Sequence, residues 1–418
     1  MCRVEQEESI VVSPLSGIRV VEATNWMAAP SAGAILADMG ADVVKVEPPT
    51  GDVVRGMIRP PKVEGPAAEI DYSFTVDNRG KKSIAIAFDE PGGAAVMRRL
   101  VSGADVFLCN LLPQRQLRYG LDPETLFAET PRLVHATLTG YGLHGPDADR
   151  PGFDVTTFFG RGAVTDSMSE PGSAAPGPRP AQGDHTTGLA LVASILAALR
   201  LVDQTGEGQV VDVSLLATAT WTMASDLAAV LIDGRQPTKR DRRHVITPLA
   251  NRFRSSDDRW MIFNMPEPRW WPKFCIATHQ EALLDDPRFE TPRDRFQNMP
   301  ELIDLIDETF AAKTLAEWGV ILDAAGLIWG PASTMVELAN DPQAAAIGLF
   351  PEIEHAEGSF RTVASPIGVR GADIAPRGLA PGIGEHTVEV LESLGYTSAE
   401  IDALATSGSV WLPTSEET

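Results

Sequence analysis

Residues 18–47 read IRVVEATNWMAAPSAGAILADMGADVVKVE, and the fold class turns on how they are read. Residues 18–23 are a β-branched, apolar run, the composition of a strand. A loop follows at 24–29, and Pro30 stands at a first helical position, where its missing N–H costs nothing. Residues 30–39 are small and helix-permissive, Gly40 ends them, and residues 42–47 (DVVKVE) form a second strand. Strand, helix and strand in that order make a βαβ unit. Its first turn has no G-x-G-x-x-G. Met27, Ala28 and Ala29 stand where a dinucleotide fold keeps its phosphate-cradling glycines, which argues against a nicotinamide cofactor. Ala28 and Ala29 are small enough for a ligand to approach the backbone, and equally suited to tight helix–strand packing.

Working outward, the alternation continues: strand 84–88, helix 92–101, strand 105–109, helix 122–129, strand 133–139. Such a pattern predicts an α/β fold with a largely parallel sheet, whose ligands sit at the carboxyl ends of the strands. Asn110 and the loop 111–120 (LLPQRQLRYG) lie at one such end, with Arg115 and Arg118 as either surface charges or anion ligands. Arg79, Lys81 and Lys82 crowd a turn before the strand at 84–88, as a solvated turn or as an electrostatic clamp for phosphates.

The chain has 418 residues with 35 basic and 57 acidic side chains, a net charge of −22. That balance disfavours nucleic acid or an anionic membrane as the main partner. Cys2, Cys109 and Cys275 have no metal-like spacing, and so sparse a count suits a reducing, cytoplasmic setting. No signal peptide or membrane span is expected. Length favours two domains. Residues 1–230 are expected to begin a large domain, 231–330 to form a smaller α+β domain crowded with Trp260, Trp270, Trp271 and Phe274, and 331–418 to return to the first.

Residues 180–214 carry the second decisive feature. A single carboxylate, Asp184, precedes an uncharged segment from 186 to 199 with apolar groups on every face, the signature of a helix buried all round. Asp184 is therefore either an N-cap or a nucleophile or base held at a helix N-terminus. A strand at 209–213 and a helix at 215–231 follow. The long loop 141–179 leads into Asp184, and loops of that length are more often functional than idle.

Taken together, LSGIRVVEAT, APSAGAILADMGADVVKVEPPTGD, NRGKKSIAI, ADVFLCN, Arg118-Tyr119-Gly120-Leu121, GYG-x-x-GP, RPGFD, GD-x-x-x-G, TGEGQVVDVSLL, DDPRF, ELANDPQ and GEHTVEVLESLGY strongly resemble, in the same order, the family III CoA-transferases, a group that includes the α-methylacyl-CoA racemases. The resemblance spans about residues 15–404. It implies a Rossmann-like large domain built from both chain ends, a smaller domain from the middle, and an interlocked, ring-like homodimer. It also implies coenzyme A or acyl-CoA as substrate, a carboxylic acid as acceptor, no permanently bound cofactor and no metal.

Carried over position by position, Asp184 matches the family's catalytic aspartate, which would attack an acyl-CoA thioester and form a mixed anhydride. Backbone N–H groups near Gly183 would stabilise the oxyanion. Asn110 and Arg118 match CoA-contacting positions, Met27 and Ala28 the loop lining the CoA channel, and Arg79, Lys81 and Lys82 would meet the nucleotide phosphates. Leu111 stands where the family is more polar. Phe153 replaces the histidine that racemases pair with the aspartate, so a racemase would have to recruit Asp154 or His185. Met27 replaces the glutamine of the formyl- and oxalyl-CoA enzymes. Trp26, Met27, Phe153, Phe158 and Phe159 suit a bulky or apolar acyl group. The readings, in order, are an acyl-CoA:carboxylate CoA-transferase, a racemase or isomerase, a non-catalytic CoA-binding subunit and, last, a dehydrogenase.

Overall fold

The computed structural model describes residues 12–57, 70–355 and 358–413. Cys2 and the second half of the Pro- and Gly-rich loop after residue 48 lie outside them. In chain order the larger unit holds β1 (Arg19–Ala23), α1 (Ala28–Asp38), β2 (Asp42–Glu47), α2 (Tyr72–Asn78), β3 (Lys82–Ile86), α3 (Pro91–Val101), β4 (Val106–Cys109), α4 (Pro113–Tyr119), α5 (Pro123–Glu129) and β5 (Val134–Thr139). A π-helix (Val155–Arg161), α6 (Val164–Met168, in this unit as far as Asp166), α7 (Gln182–Thr205), β6 (Gln209–Ser214), α8 (Leu215–Thr222) and α9 (Ala224–Asp233) follow.

The strands hydrogen-bond in the order β3-β2-β1-β4-β5-β6, all parallel, and a short C-terminal strand (Val410–Trp411) adds antiparallel to β3. This is the order of a doubly wound nucleotide-binding sheet, and the order reverses between β1 and β4. Side chains of successive strand residues leave on opposite faces. Val20, Val43, Val106, Leu108 and Val134 thus pack under α1 and α7. Val21, Val44, Ile84, Phe107 and Cys109 pack under α3 and the C-terminal helices Thr387–Ser393 and Ser398–Thr406, through Val96, Leu100, Leu391 and Ile401. With both faces covered, continuous apolar strands are what burial demands.

Every residue of α1 is buried. Its small side chains allow α7 to come close: a Cβ on Gly188 would meet Ser31 Oγ at 2.1 Å and the Ala28 carbonyl oxygen at 2.9 Å. α7 itself departs from expectation. It runs 24 residues, long and apolar enough by composition to cross a membrane. Leu191, Val192, Ile195, Ala198 and Val202 are buried in the core, but Ala193, Ala197 and Leu201 on its other side are exposed. The helix expected at 215–231 is two, α8 and α9, meeting at an 83° bend, and the loop before α7 contains the π-helix, which no local pattern announced.

The smaller unit comprises residues 167–176 and 234–342. It reaches twelve residues further than the boundary expected at 330, and takes in a piece of the segment assigned to the large domain. The reason is β9 (Trp329–Pro331), which pairs with β8 (Trp260–Asn264) beside β7 (Ala250–Arg254), and the ion pair of Arg259 with Glu337. Phe253, Phe263, Phe274, Phe310 and Trp318 form its aromatic core. The basic stretch before β7 is tied down, Arg242 donating to Asp307 at 2.8 Å and to the Arg252 carbonyl at 3.2 Å.

Candidate active site

At the carboxyl ends of β1 and β4, where the strand order reverses, the larger unit holds a cavity of about 280 Å³. Such a crevice is where open α/β sheets take ligands. Asn25, Trp26 and Ala28 line it from the turn after β1, Asn110, Leu111, Leu112 and Arg115 from the turn after β4, and Thr139 and Gly140 from the end of β5. Gly152 and Phe153 come from the loop before the π-helix, and Asp184 from the first turn of α7. Four expected ligand residues, Ala28, Asn110, Leu111 and Phe153, therefore meet the expected nucleophile.

The turn after β1 is held in an unusual shape. Trp26 has a φ of +69°, a region bulky side chains rarely adopt. Its N–H donates to Asp52 at 3.3 Å, and the Asn25 N–H donates to Asn110 Oδ1 at 3.1 Å while Asn110 Nδ2 returns a bond to the Asn25 carbonyl at 2.7 Å. Asn110 thus braces the loop as well as lining the cavity. The Trp26 ring stands edge-on to Phe153 at 4.8 Å, and both are exposed. Met27 sits at the N-cap of α1, half-buried, and does not line the cavity.

Asp184 is not the cap of its helix. The N-cap is Ala181, at φ +77° and with no side-chain bond. Asp154 lies beside this helix start, where burial pushes its carboxyl up and the N–H groups of Val155, Ala181 and Gly183 partly offset that. The Gly183 N–H is among the groups that favour the ionised Asp154 carboxyl. Gly183 is glycine for another reason: a Cβ there would meet the Phe158 ring at 2.6 Å. Asp154 Oδ2 is buried without a hydrogen bond among the described residues. Partial burial, reinforced by the charges of Asp154 and Asp77 and opposed by His185, pushes the Asp184 carboxyl up to about 7. His185 Nε2 lies 3.0 Å from Asp77 Oδ1.

The basic turn after α2 is not a clamp. Arg79 is buried and donates to Asp38 at 2.7 and 3.1 Å. Lys81 is buried on Glu22 at 2.7 Å, with Asn78 Oδ1 and the Pro30 carbonyl as further acceptors. Two carboxylates inside α1 and β1 need these cations, since an unpaired buried charge costs several kcal/mol. Lys82 lies between Asp42 and Glu389, at 3.4 and 3.2 Å. Arg118 is exposed, pairs with Asp89 at 3.0 Å and does not line the cavity. One turn earlier, Arg115 is the cation in the cavity wall. The two lie three residues apart on α4, and their surroundings distinguish them, the cavity for Arg115 and Asp89 for Arg118, which residue type alone does not. Asp77, which no motif marked, stands beside the nucleophile's neighbour.

Known proteins resemble this chain over most of its length. The sequence pattern of CoA-transferase family III matches residues 15–387. The (R)-2-hydroxy-4-methylpentanoate CoA-transferase of Clostridioides difficile is 33% identical over 93% of this chain and 97% of its own. The cinnamoyl-CoA:phenyllactate CoA-transferase of Clostridium sporogenes is 33% identical over 93% and 95%. Among solved structures, a CAIB/BAIF family protein from Brucella suis superposes with a TM-score of 0.82 at 31% identity, covering 92% of this chain and 100% of that one. The likeness runs through both units and through every strand that borders the cavity, and on it the chain belongs to CoA-transferase family III.

Proposed function

We propose that this enzyme moves CoA from an acyl-CoA thioester to a free carboxylic acid through a covalent intermediate on Asp184. The observation that carries the reading is that Asp184 is, among the described residues, the one carboxylate in the wall of the cavity at the sheet's switch point. Its oxygen attacks the thioester carbonyl, the C–S bond breaks, and CoA thiolate leaves with an acyl-aspartyl anhydride behind it. The thiolate returns to the aspartyl carbonyl, forming an aspartyl-CoA thioester and releasing the donor acid. The acceptor carboxylate then repeats the two exchanges in reverse and regenerates Asp184. A carboxyl near pH 7 in its ionisation is poised for this, since it is anionic to attack and a fair leaving group when the anhydride resolves.

A bulky, apolar acyl group suits the walls, where Trp26, Phe153, Leu111, Leu138 and Leu215 converge. The branched and aromatic acids in the names of the two relatives support that choice. The test is to incubate the protein with cinnamoyl-CoA, 2-hydroxy-4-methylpentanoyl-CoA and succinyl-CoA, add hydroxylamine and map the modified peptide. A hydroxamate at Asp184 is expected; intact CoA binding with no adduct from any thioester overturns the reading. Deuterium entering the α-carbon without CoA exchange would favour the isomerase instead, for which Phe153 offers no base.

Arg115, exposed and without a carboxylate partner among the described residues, is the cation for the anionic end of a CoA or acid ligand. Arg115→Ala is expected to raise KM for acyl-CoA roughly tenfold with little change in kcat, since a contact made equally in ground and transition state affects binding alone. A loss confined to kcat would remove Arg115 from this role. An interlocked homodimer is supported by α9, none of whose residues is buried, and by Trp221, Leu231 and Ile232, exposed at 79%, 85% and 88%. So apolar a face is what an obligate interface covers, and sedimentation at the mass of two chains is the expected result.

A further inference from the structure

We propose that His185, fixed by the buried carboxylate of Asp77, is a positioning residue that keeps a cation beside the Asp184 nucleophile. The inference rests on the reading of Asp184 given above and adds a pair of residues to it.

The geometry is specific. His185 follows Asp184 directly in the first turn of α7, and its side chain is 45% exposed. A histidine so placed is solvated without help. Its Nε2 nevertheless lies 3.0 Å from Asp77 Oδ1, and the Asp77 side chain is only 3% exposed, at the end of α2. Burying a carboxylate is costly unless it is paired. The two cations nearest Asp77 in sequence are spent elsewhere, Arg79 on Asp38 and Lys81 on Glu22. The fold thus holds a buried carboxylate whose hydrogen-bonding partner is a partly exposed imidazole adjoining the nucleophile.

The surrounding charges explain what this achieves. Asp184 faces Asp154 from the loop before the π-helix, Asp77 from α2, and His185 from its own helix. His185 faces the same three carboxylates, and Asp77 also senses Lys81 and Arg79. With a neutral imidazole, three carboxylates would share one partly dry site, and at least one would keep its proton. The bond to Asp77, more than any other contact, raises His185 above its ordinary 6.5. The bond therefore favours the cationic ring, which in turn favours the anionic form of Asp184 that attack on a thioester requires.

The test has two arms, both on the full chain. The imidazole Cε1–H signal of His185 is titrated by NMR in the wild type, Asp77→Asn and Asp184→Asn. The midpoint is expected above 6.5 in the wild type, and lower by about one unit in Asp77→Asn. It is also expected to be lower in Asp184→Asn, because the two groups sense each other. Coincident midpoints in wild type and Asp77→Asn, or no response to Asp184→Asn, overturn the proposal whatever the enzyme's reaction.

In the second arm the protein is acylated with cinnamoyl-CoA at each pH and trapped with hydroxylamine at one fixed pH. His185→Gln is expected to move the acid limb of adduct formation up by about one unit, a loss approaching tenfold at pH 6. His185→Lys, which keeps the charge, is expected to restore most of it. A limb unmoved in His185→Gln overturns the proposal and leaves the nucleophile standing. A wild type that gives no adduct at any pH overturns the nucleophile reading and, with it, this role for His185.

Discussion

Asp184→Ala is expected to lower CoA transfer by roughly 10³-fold or more while CoA still binds, the pattern left when a nucleophile is removed from an otherwise intact site. The prediction follows from what else is present. Among the described residues lining the cavity no other side chain is a carboxylate, a thiol or a free amine. Asp154 is close enough to raise the ionisation of Asp184, but it does not line the cavity. Cys109, at the end of β4, is buried with its thiol pushed up to about 11, which leaves it inert as a nucleophile at neutral pH. Ala at position 184 keeps the helix, because the helix does not use that side chain as a cap. Transfer between cinnamoyl-CoA and a free acid, followed together with CoA affinity by calorimetry, checks both halves. Activity above a tenth of the wild type would mean that Asp184 only orients the substrate. Loss of CoA binding together with activity would mean that the residue holds the site's shape.

Much of the frame could be read from residue order, because the features that determine it are local. A β-branched run, a small-residue helix and a second run within thirty residues admit few arrangements, and the handedness of crossovers does the rest. Ligands of a parallel sheet sit at the carboxyl ends of its strands, so Asn110 and the loop after it could be placed at such an end, but that this end is the switch point needed the strand order itself. What sequence reading misjudged depends on distant partners. Arg79 and Lys81 look like a basic cluster until their acceptors are known, and those acceptors, Asp38 and Glu22, lie 41 and 59 residues away. Formal charge in a motif does not reveal whether the fold has already neutralised it. α7 misled in a related way: an all-apolar helix is buried all round only if something covers every side, and part of its surface is left exposed within a single chain. Asp77 carried no signal, since a carboxylate at the end of a short helix is ordinarily solvated. Only its burial beside His185 gives it meaning.

Asp184→Asn is expected to stabilise the fold by about 1–3 kcal/mol at pH 8, and by almost nothing at pH 3.5. In the folded chain the carboxyl ionises at about 7, against 3.8 for the unperturbed group, with burial the leading cause and the charge of Asp154 next. Between those two values the unfolded chain has released the proton and the folded chain still holds it. The folded state thus binds more protons there, stability falls as pH rises through the window, and the full cost is present above 7. A shift of that size corresponds to about 4 kcal/mol at most, discounted here because the carboxyl is only partly buried and solvent screens it. Asparagine has nearly the same shape and no charge to desolvate, so it escapes the cost at every pH. Denaturant midpoints of both proteins at pH 8 and pH 3.5 read the effect of Asp184 together with the neighbours coupled to it, since titrations remote from the site cancel in the difference. An Asn variant less stable than the wild type at pH 8 would show that the ionised carboxylate is held by favourable contacts and is not strained. The two substitutions together then separate function from folding: the charge whose loss abolishes transfer is one that the fold is better off without, as expected of a group kept for its chemistry.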